Sequence, residues 1–178
     1  MATLQEAARE LGAAYDDYFM LSDVLRRDGA RVLDDSRADE PWRRNVVRVT
    51  WPMIEAYAST LRRFCNVFRK YCDLELSTKH VRLLDDESQF GTPERIKETL
   101  KLAYRLHDLN DPPDFGDKQW SCVREAIEVR DRIMHPKSAA DLEISDKNWP
   151  SVHAGLVWAL TCFTRFFDQV SKKYGPAA

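Results

Sequence analysis

The chain has 178 residues, of which 44% are hydrophobic and 31% charged, and its formal net charge is −2 at pH 7. These values predict one folded domain over residues 1–178, and they exclude a disordered chain and a protein that attracts nucleic acid through an overall positive field. The first residues lack the basic and apolar regions of a secretory signal, and no apolar run approaches the roughly 20 residues that span a bilayer. We therefore expect a cytoplasmic protein that does not enter a membrane.

Five amphipathic helices are predicted from the period of the apolar residues. They cover about residues 3–27, 42–72, 93–107 and 117–134, and a last stretch that begins between 145 and 149 and ends near 174. The segment 28–41 is a loop or a short extension of the first helix. Pro52 lies inside the second helix and predicts either a kink or a fresh helix start capped by Thr50. Long helices with short connectors favour an all-α antiparallel bundle of about five helices.

The cysteines and histidines are not spaced as zinc ligands. Cys65, Cys72, Cys122 and Cys162 form no C-x-x-C pair and fall within amphipathic helical patterns, which is typical of buried thiols in a reducing compartment. The four histidines have no ligand spacing relative to each other or to the cysteines. We expect no metal site and no other cofactor.

Arg130 occupies an apolar position of the fourth predicted helix. At about 100° per residue, the apolar side chains of this helix form an arc roughly 160° wide, and Arg130 falls in the middle of it. A guanidinium in that place needs a partner, a wet cleft or an anionic ligand. The alternative is a long side chain that reaches the rim of the seam or pairs with a core carboxylate.

His135 is predicted to lie at the end of the same helix. Because Pro136 disfavours helical geometry in the residue before it, the helix should end at Met134 and leave His135 at the C-cap, where it can turn back toward Arg130. Histidine gains and loses a proton near neutral pH, as proton transfer requires. Asp131 could orient His135, hold Arg130 or be plain helix surface, and an exposed capping side chain is the alternative for His135.

The sequence Arg130-Asp131-x-x-x-His135 resembles the R-x(4-6)-H motif of the HEPN superfamily, in which Asn, Asp or His usually follows the arginine. The apolar pair before the histidine, Pro136 after it and the final long helix also match. A chance R-x4-H is expected roughly 0.4 times in such a chain, so the specificity comes from the combination of these conditions. The resemblance covers the helical organisation of most of the chain, but only the motif helix is specific to it.

This resemblance implies a HEPN-like bundle and a metal-independent endoribonuclease, commonly a toxin or defence component, that works as a homodimer with two motifs facing one cleft. RNA supplies its own nucleophile, the 2′-OH. His135 would transfer the proton, Arg130 would stabilise the developing phosphorane charge, and Asp131 would orient them. The partners implied are RNA, a second copy of the chain and, as a candidate, an antitoxin or other regulatory protein. A HEPN bundle without catalysis, which binds a partner protein or a nucleotide, is the alternative.

Three basic residues near the motif, Arg124, Arg132 and Lys137, are predicted to bind RNA, with a solvated charged face as the alternative for each. In the branch of the superfamily that a partner nucleotidyltransferase regulates, a tyrosine stands two residues after the histidine, where this chain has Lys137.

The second predicted helix carries a basic face that either extends an RNA path or solvates the helix. It consists of Arg62, Arg63, Arg69 and Lys70. Glu55 interrupts an apolar run of the same helix, but its wheel position assigns it to the polar side with Arg62 and Asn66.

Overall fold

The structure, a computed structural model, describes residues 4–34 and 39–174. Over these two ranges the chain forms six α-helices and two short 3₁₀ turns, and no β-strand. The helices are α1 (Leu4–Leu33), α2 (Glu40–Tyr71), α3 (Thr78–Asp85), α4 (Thr92–Leu106), α5 (Lys118–Met134) and α6 (Trp149–Tyr174), and the 3₁₀ turns are Glu87–Gln89 and Ala139–Leu142. The prediction of an all-α protein is confirmed. None of the described helices combines the length and apolar character that crossing a bilayer requires.

The described residues contain one helix more than the sequence predicts, because α3 is absent from the predicted set. Ser77 caps α3 by accepting a hydrogen bond from the backbone N–H of His80 at 3.3 Å. The helix has eight residues, which is too short for an apolar period to stand out.

Two of the open alternatives are decided by the helix bounds. α1 continues to Leu33, so residues 28–33 extend the first helix rather than forming a loop. α2 runs without interruption through Pro52, so no fresh helix starts at Thr50.

The chain forms two compact units, to both of which α1, α2 and α6 contribute residues. One unit comprises Met1–Met20, Ala56–Pro113 and Phe163–Ala178, and the other comprises Leu21–Glu55 and Asp114–Cys162. Whether the two units form the single domain that the sequence predicts depends on how they are arranged, and the single domain stays a prediction.

The first unit has a largely aromatic core. Tyr18 stacks on Phe167 with ring centroids 4.1 Å apart, and Tyr104 meets Phe166 edge to face at 5.5 Å. His107 packs edge-on against Phe68 and Phe166, and its two ring nitrogens are buried without a hydrogen-bond partner among the described residues. Burial, and secondarily the nearby Lys173 ammonium, lowers the pKa of His107 to about 4. The imidazole is therefore an uncharged part of the core at neutral pH.

The second unit contains the motif helix, α5, held closely against α6. A Cβ atom on Gly155 would lie 2.3 Å from the carbonyl oxygen of Cys122, so only glycine allows this approach. At the beginning of α5, the Asp117 side chain accepts a hydrogen bond from the backbone N–H of Trp120 at 2.9 Å. This acceptor is typical of a helix N-cap. The cap and the close contact together place the helix that carries Arg130.

Candidate functional site

α5 ends where the sequence predicts. Met134 is its last residue, and His135 is the C-cap with φ −130° and ψ 56°. The backbone N–H of His135 still donates to the carbonyl of Asp131, at 3.2 Å. The predicted effect of Pro136 on the preceding residue is confirmed, because His135 has left the helical region.

Arg130 lies in a half-buried position, where each terminal nitrogen donates to a different carboxylate. Nη1 lies 2.7 Å from Oδ1 of Asp131, and Nη2 lies 2.5 Å from Oε1 of Glu55. The side chain is 20% exposed, and its Nε is buried with no hydrogen-bond partner among the described residues. The sequence leaves several alternatives open for Arg130, and the one that the structure shows is pairing with carboxylates.

Trp51 and Glu55 complete this cluster from α2. The indole Nε1 of Trp51 donates to Oε1 of Glu55 at 2.8 Å, and the Cζ atom of Arg130 lies 5.5 Å from the centroid of the Trp51 ring. A guanidinium over an indole face is attracted by the negative face of the ring. Sequence reasoning missed Glu55, since it assigned this residue to the polar side of α2. The signals available were the interruption of an apolar run and a tryptophan one helical turn earlier.

The charge of the cluster limits what it can bind. One guanidinium and two carboxylates give a formal charge of −1, so the cluster as a whole does not attract anions over a distance. A guanidinium has five N–H donors, and two of those of Arg130 are used by Asp131 and Glu55. The second hydrogen of each terminal nitrogen remains for a phosphate oxygen that comes within contact distance.

The structure joins the side chains of Arg130 and Asp131 by a hydrogen bond, but no such bond links the His135 side chain to either of them. His135 is exposed, and no hydrogen bond or ion pair joins its imidazole to another residue that the structure describes. Of the three alternatives for Asp131, the observed one is that it holds Arg130. All three motif residues therefore lie at one helix end, and a hydrogen bond joins the side chains of two of them, Arg130 and Asp131.

The three residues predicted to bind RNA have different surroundings. Arg124 and Lys137 are exposed. Arg132 instead donates to three backbone carbonyls of the loop after α5, those of Ala140, Asp141 and Glu143, at 3.3, 3.0 and 3.2 Å. Arg132 thus stabilises the turn that follows the motif, whereas the other two side chains remain available to a ligand.

The basic face predicted on α2 is paired with carboxylates in the first unit. Arg62 is buried and pairs with Glu87, and its burial lowers the pKa of the guanidinium. The other three pairs are Arg63 with Asp17, Arg69 with Asp85 and Lys70 with Glu10. These pairs argue against an RNA path along this face, and the buried Arg62 does not serve to solvate the helix either.

No group of three or more His, Cys, Asp or Glu side chains in the described part of the chain is placed to hold a metal ion. Comparisons with protein-family models, with curated proteins and with solved structures found no match to this chain. The function is therefore inferred from the residues of the motif helix and from their contacts.

Proposed function

We propose that the chain is a HEPN-like helical bundle that cleaves RNA as a metal-independent endoribonuclease of the toxin or defence type. One observation carries the proposal: a half-buried arginine, held by the aspartate that follows it, lies five residues before an exposed C-cap histidine. A fixed cation and an exposed proton carrier at one helix end are the two groups that cleavage through the 2′-OH requires.

The reaction is an intramolecular transesterification at phosphorus. His135 takes the proton of the 2′-OH, the 2′-oxygen attacks the adjacent phosphorus, and the bond from phosphorus to the 5′-oxygen breaks. The leaving 5′-oxygen takes a proton from water and the His135 imidazolium returns its proton to the solvent, so the products are a 2′,3′-cyclic phosphate and a 5′-OH. Arg130 stabilises the negative charge on the phosphorane through its remaining terminal N–H groups, while Asp131 holds the guanidinium in place.

We propose that the active form is a cytoplasmic homodimer in which two motifs face one cleft. A single Arg130 cluster carries a formal charge of −1, so the exposed cations Arg124 and Lys137 of both copies would supply the attraction for one phosphate backbone. Met134, beside His135, leaves an apolar side chain 48% exposed, which suits a surface that a second copy or a regulatory protein covers. Sedimentation that finds only monomer at tens of micromolar would contradict the dimer.

A non-catalytic bundle that binds a partner protein or a nucleotide is the second candidate, and one observation favours it. Both terminal nitrogens of Arg130 are engaged by carboxylates, while no hydrogen bond or ion pair joins the His135 ring to Arg130 or Asp131. In this alternative the ion pair between Arg130 and Glu55 has a structural role and links α5 to α2.

The test is incubation of the purified chain with RNA in excess EDTA. We expect cleavage by the wild type and loss of cleavage in Arg130→Ala and His135→Ala. The matched control is His153→Ala, which removes another exposed histidine, located on α6 outside the motif. Intact RNA with retained dimerisation would instead identify the binding module.

An oligonucleotide with one deoxyribose at the preferred site separates chemistry from binding. It should bind, resist cleavage at that bond and compete with the all-ribose substrate, because it lacks the nucleophile but keeps the phosphate contacts. Binding of both oligonucleotides should weaken alike with added salt. Cleavage of the deoxyribose bond at the normal rate would refute the 2′-OH mechanism and the role of His135.

A further inference from the structure

We propose that Glu55 is a positioning residue for Arg130 in RNA cleavage, an inference that rests on the proposed function. Its Oε1 atom accepts hydrogen bonds from two donors, Nη2 of Arg130 at 2.5 Å and Nε1 of Trp51 at 2.8 Å. Glu55 follows Trp51 by four residues on α2, which is one helical turn and puts the two side chains on the same face. The indole N–H of Trp51 therefore determines where the Glu55 carboxylate, the acceptor for Arg130, lies.

The surroundings hold the guanidinium from three directions. Asp131 binds Nη1, Glu55 binds Nη2, and the indole of Trp51 lies against the cation. Trp51 is only 2% exposed, so its ring is a rigid part of the core against which a flexible arginine side chain is ordered. Ordering before the substrate arrives removes an entropic cost from binding and keeps the cation where charge develops.

The two properties of Glu55, its acceptor oxygen and its charge, make opposite contributions. The acceptor orients Arg130, whereas the negative charge weakens the attraction of the cluster for phosphate. Glu55→Gln retains a carbonyl oxygen for the two donors but removes the charge. Glu55→Ala removes both, and Trp51→Phe keeps an aromatic ring near the guanidinium but removes the indole donor.

We therefore expect a defined order of cleavage rates in the otherwise intact full-length chain. Glu55→Ala should lower kcat by about 100-fold, the effect of misplacing a catalytic group by about 1 Å, with little change in KM. Glu55→Gln should stay within about tenfold of wild type in kcat, and Trp51→Phe should fall between the two. Glu128→Ala is the matched control, since it removes a carboxylate of α5 that is exposed and should leave kcat unchanged. Equal losses in Glu55→Gln and Glu55→Ala would overturn the proposal.

A second measurement does not depend on cleavage. NMR signals of the Arg130 Nη hydrogens, assigned by their disappearance in Arg130→Lys, report whether rotation of the guanidinium is hindered. We expect separate Nη1 and Nη2 signals in the wild type and in Glu55→Gln, and averaged signals in Glu55→Ala. The same averaging in wild type and Glu55→Ala would show that Glu55 does not hold Arg130, even if the wild type cleaves RNA. If the wild type leaves RNA intact, the proposed function fails, and the NMR signals still decide whether Glu55 places Arg130.

Discussion

Replacing Gly155 by alanine should force α5 away from α6. The added Cβ would lie 2.3 Å from the carbonyl oxygen and 2.4 Å from the carbonyl carbon of Cys122, and 2.7 Å from the backbone nitrogen of Val123. Ordinary contact begins at 3.4 Å, so the backbones must separate by the difference, about 1 Å, to accept even a methyl group. These neighbours are backbone atoms, which cannot turn aside as a flexible side chain can.

The magnitude follows from two opposed effects. Overpacking of this kind typically costs about 1–3 kcal/mol, and backbone contacts on both helices point to the upper end. Alanine in place of glycine within a helix returns about 0.5–1 kcal/mol. A net loss of about 2 kcal/mol corresponds to a fall in Tm of about 4–8 °C for a chain of this size.

The assay is thermal unfolding followed by far-UV circular dichroism, with Gly12→Ala as the control. A Cβ on Gly12, in α1, would meet nothing within 4 Å. Gly12→Ala therefore receives only the helix-propensity gain, and its Tm should rise by about 1–4 °C. A Gly155→Ala variant that melts at or above the wild-type temperature would refute the reasoning about the contact between α5 and α6.

Three further outcomes are expected. In the unfolded chain His107 takes up a proton below its ordinary pKa of 6.5, whereas in the fold its pKa is lowered to about 4 and the ring stays neutral. The free energy of unfolding should therefore fall between pH 7 and pH 4.5 by roughly 2–3 kcal/mol more in the wild type than in His107→Phe. Urea unfolding at the two pH values would measure this difference. Arg132→Ala should lose about 1–2 kcal/mol of stability, because its hydrogen bonds to backbone carbonyls are lost, and should leave the salt dependence of RNA binding unchanged. Arg124→Ala should keep the wild-type stability. In this variant the slope of the logarithm of the RNA-binding constant against the logarithm of the salt concentration should be smaller by about 1. Arg130→Met should change the free energy of unfolding by less than about 1 kcal/mol, because Glu55 and Asp131 are 38% and 53% exposed and water can solvate them; a loss above about 3 kcal/mol would identify the arginine as a structural tie and remove support for its catalytic role.

Local signals predicted much of the fold. The end of α5 at Met134 follows from Pro136, and the long amphipathic helices follow from apolar periods that extend over many turns. The eight residues of α3 are too few for such a period, and its start depends on a single capping contact of Ser77. At Pro52 the local rule left two alternatives, a kink or a fresh helix start, and the bounds of α2 exclude the fresh start.

The contacts of the candidate site were harder to predict than its residues. A helical wheel shows that Arg130 lies among apolar side chains, but it cannot show that Glu55, 75 residues earlier in the chain, supplies the partner. The wheel of α2 was misleading for Glu55 and Arg62, because both lie on a side that is polar by composition while their carboxylate or guanidinium is paired. The same limit applies to Arg132, whose partners are backbone carbonyls that carry no sequence signal.

The hydrogen bond between Glu55 and Arg130 also has a consequence for how the sequence can drift. A chain that has lost Arg130 no longer needs a hydrogen-bond acceptor at position 55, so substitutions at the two positions should be inherited together. A lineage that replaces Arg130 is free to replace Glu55, and then the indole donor of Trp51 loses its acceptor. Related sequences should therefore fall into two groups, one that keeps all three residues and one that has changed all three.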